Sequence, residues 1–150
     1  MKLSISVALS HKAELLILDE ATSGLDPVVR DDILDILLDF VQDETHSILI
    51  SSHITSDLEK VADSIVFIHE GKMIFEETKD YLIYDYGIMK CKQKEFDSID
   101  KEDIITFRKM DYGYEILVKN KKELERKYPN FIMDNIKIED IMLMYVKGEK

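Results

Sequence analysis

The sequence predicts an α/β chain: a strand–helix alternation with a mainly parallel sheet over residues 1–85, then a small α+β extension over residues 86–150. Three observations predict it. Apolar runs at 15–18, 47–51 and 65–68 are separated by stretches with helical spacing, and strands joined through helices cross over right-handed into a parallel sheet. The charge balance changes near Asp85, with six basic and 18 acidic side chains up to that residue against 14 and 13 beyond it; this shift places a boundary around Tyr84 to Gly87. Past the boundary, Ile104–Met110 and Tyr114–Val118 flank Asp111-Tyr112-Gly113, a hairpin pattern.

Composition narrows the function classes. The chain has 150 residues, 45% of them hydrophobic and 34% charged, enough to bury a core. A net charge of −11 opposes non-specific binding to nucleic acid or to an anionic membrane surface. Cys91 is the single cysteine, so no internal disulfide forms, as suits a reducing compartment. No apolar run approaches the 18 residues of a membrane span, and the N-terminal run is too short and interrupted for a signal peptide. The expectation is a protein soluble by itself.

The elements follow in order. Ser4–Leu9 reads as the end of a helix. Leu15–Leu18 is a continuous apolar run, expected of a strand buried on both faces. Asp26-Pro27 starts a helix, because Asp can accept from free backbone N–H groups and Pro fits the first helical position. Val29, Ile33, Ile36, Leu37, Phe40 and Val41 carry its apolar spacing, while Asp31, Asp32, Asp35 and Asp39 form a solvated face. Ser47–Ser51 is a second strand. Ser56 with Glu59 has capping-box spacing and opens a helix to about Ala62. Ile65–Ile68 is a third strand, Gly71 turns the chain into Met73–Phe75, and Thr78 caps a helix through Tyr84. In the extension, Ile88–Cys91 is a strand, Lys121–Tyr128 a charged helix stopped by Pro129, and Ile138–Val146 a helix with Ile138, Ile141, Met142 and Tyr145 on one face.

Ligands of parallel sheets bind at the carboxyl ends of the strands, so the residues after Leu18 and Ser51 are the candidates. Leu15-Leu16-Ile17-Leu18 runs straight into Asp19-Glu20. Adjacent carboxylates delivered by a buried strand repel unless a cation or polarised water divides their roles. One can support Mg²⁺ while the next orients or deprotonates a water, which is what phosphoanhydride hydrolysis requires. Taken alone, the pair also reads as an ordinary strand-end turn.

The pair is followed by Ala21-Thr22-Ser23-Gly24-Leu25-Asp26-Pro27 and, after the next strand, by Ser51-Ser52-His53. In this order and spacing, over about residues 2–76, the chain resembles the ATP-binding subunits of ABC transporters. Leu15–Glu20 look like the Walker B strand, Ser23-Gly24-Leu25-Asp26 like the D-loop, and His53 like the switch histidine. Lys2–Leu9 is similar to the helix behind the signature loop, and Ile138-Glu139-Asp140-Ile141-Met142-Leu143 to the closing helix of exporter-type subunits.

The resemblance implies a partial P-loop NTPase fold with ATP and Mg²⁺ as cofactors. It implies that Asp19 supports the metal, that Glu20 polarises the attacking water, and that His53 contacts the γ-phosphate and holds Glu20 and the water. Ser23 and Asp26 would couple two ATP sites across a head-to-tail dimer. The implied partners are a second ATPase subunit and a membrane permease, with no nucleic acid; the implied location is cytoplasmic, at the inner face of the cell membrane. Ala21 departs from the family, which usually has proline there. No G-x-x-x-x-G-K-[ST] is present, and Gly71-Lys72 is followed by Met73. The resemblance therefore makes this chain the C-terminal half of a subunit plus its extension, with Met1 internal to the parent and no hydrolysis by the chain alone. Two alternatives stand beside it: a non-catalytic interaction module, and a soluble ABC-type ATPase not tied to transport.

Other residues read as structural. Asp26 caps its helix on any reading. His11, His46 and His69 have no partner pattern and form no metal site with Cys91. Met142 and Met144 are packing residues, Tyr112 and Tyr114 belong to a hairpin surface, and the lysines from Lys90 to Lys94 form no nucleic-acid patch.

Overall fold

The structure is a computed structural model and describes Ile5, Val7–Leu9, His11 and residues 13–149. These fall into two compact units, Met1–Ala62 and Asp63–Lys150.

The first unit holds β1 (Leu15–Asp19), α1 (Pro27–Phe40), β2 (Ser47–Ser51) and α2 (Thr55–Val61). Ile5 and Val7–Leu9 are helical, as the sequence predicts; the rest of the Lys2–Leu9 resemblance lies outside the described residues. β1 and β2 run parallel, with Leu15 opposite Ser47 and Asp19 opposite Ser51. Asp26 caps α1 through its Oδ1, which accepts from the Val29 amide at 3.1 Å, and Pro27 fills the first turn. Ile5, Leu16, Ala21, Ile33 and Leu37 form the core, with Leu18, Val29, Phe40, Ile48 and Ile50 against it. Leu34 is also buried, whereas Ile36 is exposed. The helix after His53 begins at Thr55, and Ile54 at the cap position makes no side-chain hydrogen bond. The predicted cap at Ser56 is thus displaced by two residues, to Ile54.

One expectation is overturned here. β1 is covered on one face only: Leu16 is 3% exposed but Ile17 is 71% exposed, and Leu15 and Leu49 share that open face. Strand side chains alternate between faces, and among the described residues the core lies on one of them. An apolar face with unpaired strand edges favours association of copies. The expected result is concentration-dependent self-association that an Ile17→Lys, Leu49→Lys double variant relieves. Identical sedimentation of parent and variant would reject it.

The second unit begins with a hairpin, β3 (Ser64–His69) and β4 (Lys72–Thr78), followed by α3 (Lys79–Tyr84). Its turn residues Glu70 and Gly71 have φ of 48° and 72°, the paired left-handed geometry that fits the twist of a tight hairpin. Thr78 caps α3 by accepting from the Tyr81 amide at 3.3 Å. Then come β5 (Gly87–Cys91), two short 3-10 turns (Phe96–Ser98 and Lys101–Asp103), β6 (Thr106–Met110), β7 (Gly113–Val118), α4 (Lys121–Lys127), β8 (Ile132–Asp134) and α5 (Ile138–Lys147). The sheet order is β6-β7-β5-β8, antiparallel throughout.

The strand directions and the boundary differ from the sequence reading. Among the described residues parallel pairing is confined to β1–β2, and β3 pairs only with β4, antiparallel. The compact units divide after Ala62 rather than after Asp85, because the hairpin is tied into the extension. Phe75 on β4 packs against Tyr145 on α5 at 5.5 Å between ring centroids, and Glu77 accepts from Lys119 at 3.0 Å. These contacts follow side-chain packing that the charge profile does not report.

In the extension, one face of the sheet packs Met89, Cys91, Ile116 and Val118 with Ile99 and Leu124. α5 buries Ile138, Ile141 and Met144, and Thr106 Oγ1 donates to the Met144 carbonyl at 3.0 Å. Tyr86 and Tyr145 place their hydroxyls 3.3 Å apart, and burial pushes the Tyr86 phenol up to about 12. A row of charges crosses the strands: Arg108 opposite Glu115, Glu115 opposite Lys90, and Lys90 paired with Asp134 at 2.7 Å. Cys91 is buried, and burial raises its thiol, leaving it a packing residue.

Candidate functional site

The site grows from the carboxyl ends of the two parallel strands. Because Asp19 lies opposite Ser51, the residues that follow each strand emerge side by side. The Ser51 hydroxyl donates to Asp19 Oδ1. The Glu20 amide donates to both the Ser51 carbonyl, at 3.1 Å, and Ser51 Oγ, at 3.2 Å. One serine therefore fixes the first carboxylate and the backbone of the second.

Glu20 leaves the strand in a left-handed conformation, with φ of 49°, uncommon for a residue with a side chain. Surrounding hydrogen bonds hold it: besides the two to Ser51, its carbonyl accepts from the Ser23 amide at 3.1 Å. Backbone outliers of this kind concentrate at functional sites.

His53 Nδ1 lies 2.6 Å from Glu20 Oε2, so the imidazole N–H donates to the carboxylate and Nε2 stays available. Both side chains are open to solvent, His53 by 68% and Glu20 by 39%. The arrangement orients a carboxylate that can accept a proton from water, beside an imidazole that can meet a second group. Asp19 adds one carboxylate on the same rim. Among the described residues no group of three or more His, Cys, Asp or Glu is placed to hold a metal ion. The oxygen donors of Asp19 and Ser51 fit a hard cation that keeps most of its ligands as water or substrate phosphate.

The predicted site residues separate into two groups. Glu20 with His53, and Asp19 with Ser51, are brought together at the strand ends. Ser23 and Asp26 lie on the loop from β1 to α1, where Gly24 takes φ of 73° and Asp26 serves as the helix cap. Sequence reasoning missed Ser51 as a locking residue; the signal that finds it is the parallel register of β1 with β2. It also missed Arg30 and Asp57, an ion pair between α1 and α2. His46 hydrogen-bonds the Phe40 carbonyl at 3.0 Å and stacks on the Phe40 ring, a structural role.

No protein-family profile matches the chain. The lantibiotic transport ATP-binding protein SrtF of Streptococcus pyogenes is 46% identical over 79 residues, which is 53% of this chain and 34% of that protein. The energy-coupling factor transporter ATP-binding protein EcfA2 of Clostridioides difficile is 30% identical over 121 residues, 70% of this chain and 41% of that protein. A solved inward-facing chain of a metal-chelate type ABC transporter covers 80% of this chain and 46% of its own length, with TM-score 0.47 and 18% identity. The chain thus spans about a third of the length of SrtF. Over about half of its length, this chain is a homologue of the ATP-binding proteins of ABC transporters.

Proposed function

We propose that this chain is the C-terminal part of a subunit that hydrolyses MgATP and drives transport, in the direction of export, through a membrane permease on the cytoplasmic side. Two such subunits act as a head-to-tail dimer. The Met1–Ala62 unit carries the catalytic residues of the ATPase core, and residues 86–150, packed with the β3–β4 hairpin, form an accessory extension. The observation that carries the reading is the Glu20–His53 hydrogen bond of 2.6 Å at the ends of two parallel strands. The exporter-like closing helix at Ile138–Leu143 favours export.

Each residue has a task in this scheme. Glu20 accepts a hydrogen bond from the attacking water and orients it in line with the terminal phosphate. His53 holds the Glu20 carboxylate through Nδ1 and offers Nε2 to the γ-phosphate. Asp19, steadied by Ser51, would help hold Mg²⁺, which would supply neutralisation of the phosphate charge. Ser23 and Asp26 face the second nucleotide across the dimer.

The test uses the complete subunit. His53→Ala is expected to lower kcat by roughly 10²–10³, the size of losing one transition-state donor, with ATP affinity changed far less. Turnover within twofold of the parent would remove His53 from this role.

A further inference from the structure

The loop with Ser23 and Asp26 and the segment with His53 are separated by more than 25 residues of chain, yet one side chain reaches toward both. Arg30, on the first turns of α1, donates from Nη2 to the Leu25 carbonyl at 3.3 Å. Its Nε faces Asp57 Oδ2 at 4.0 Å. Asp57 sits in the first turn of α2, and its amide donates to the Ile54 carbonyl, directly after His53, at 3.1 Å.

Asp57 is 2% exposed, the most deeply buried acid in the unit. Asp57 Oδ2 and Arg30 Nε are both shut off from solvent and make no hydrogen bond. A buried carboxylate is strongly unfavourable without a counter-charge, so each is the other's partner. The guanidinium fork suits this double duty, with donors for a carbonyl on one side and a carboxylate on the other. Asp57 faces Arg30, while the cap position of α2 has no side-chain hydrogen bond; its placement serves the pair more than its own helix. A second tie joins the same two helices further along. Lys60 pairs with Asp31 at 2.6 Å and Asp35 at 2.7 Å, and those carboxylates, Asp31 first, hold its ammonium above the usual lysine range. This tie touches neither loop and supplies a control.

We propose that Arg30 and Asp57 are positioning residues: their pair, with the Arg30 bond to Leu25, holds the Ser23–Asp26 loop and the His53 segment so that His53 reaches Glu20. Their service to catalysis rests on the ATPase reading above; the geometric claim does not.

The test is a long-range ¹⁵N–¹H NMR spectrum of the imidazoles in this 150-residue chain. Arg30→Gln and Asp57→Asn are each expected to shift His53 Nδ1 away from its hydrogen-bonded position. The double variant shifts it no further than either single change, because one linkage is broken in all three. Lys60→Ala weakens the helix contact but leaves the Nδ1 signal in place. Circular dichroism confirms that each variant folds, and Arg30→Lys replaces Arg30→Gln if the latter does not. An unmoved Nδ1 signal in the folded Arg30 and Asp57 variants overturns the proposal, as does an equal shift in Lys60→Ala, which would mark general loosening. Turnover retained by Glu20→Gln in the complete subunit would defeat the ATPase reading while leaving this positional result standing.

Discussion

Glu20→Gln in the complete subunit is expected to lower ATP turnover by roughly 10²–10⁴, the usual worth of a positioned general base, and to leave ATP binding intact. The amide keeps the size of the side chain and can still meet His53, but it cannot take up the water's proton. The backbone supports the comparison, since Glu20 is held by its own amide and carbonyl through Ser51 and Ser23. Single-turnover hydrolysis beside a nucleotide-binding titration reads the two effects separately. A kcat near that of the parent would assign the base elsewhere; a loss of binding equal to the loss of rate would make Glu20 a ligand for the ground state.

The second large effect is on stability. Leu37 is 0% exposed at the centre of a core with four other buried residues. Leu37→Ala should cost about 2–5 kcal/mol. A unit of this size has a total stability of roughly 3–9 kcal/mol, so the variant loses much or all of it. The tyrosines give a clean readout, because all 7 lie beyond residue 80 and hence in the second unit. Urea titration should show part of the helical dichroism lost at much lower denaturant, while the tyrosine fluorescence transition stays where it was. A joint shift of both signals would mean that the units unfold as one. An unchanged dichroism curve would mean that Leu37 is not central to the first core.

The hairpin explains why a charge profile misplaces a boundary. Residues 63–85 are acidic like the residues before them, yet Phe75, Glu77 and Tyr81 contact Tyr145, Lys119 and Asn120. Net charge reports composition along the chain, whereas a compact unit is defined by which side chains bury one another. The same gap explains β1. Its unbroken apolar run satisfies the pattern of a strand covered on both sides, but coverage depends on what else packs there, and Ile17 meets solvent.

What the sequence determined by itself was local. Asp26-Pro27 starts a helix because a carboxylate and a ring of fixed φ act within one turn, and the Thr78 hydroxyl caps α3 over the same short range. The order of Asp19-Glu20, Ser23–Asp26 and His53 was enough to name the chemistry they resemble. The tertiary structure decided the contacts that turn those residues into a site: Glu20 with His53, Asp19 with Ser51, and Arg30 with Asp57. Each depends on the register of two parallel strands or the packing of two helices, relations between segments some 27 to 33 residues apart that no local preference specifies.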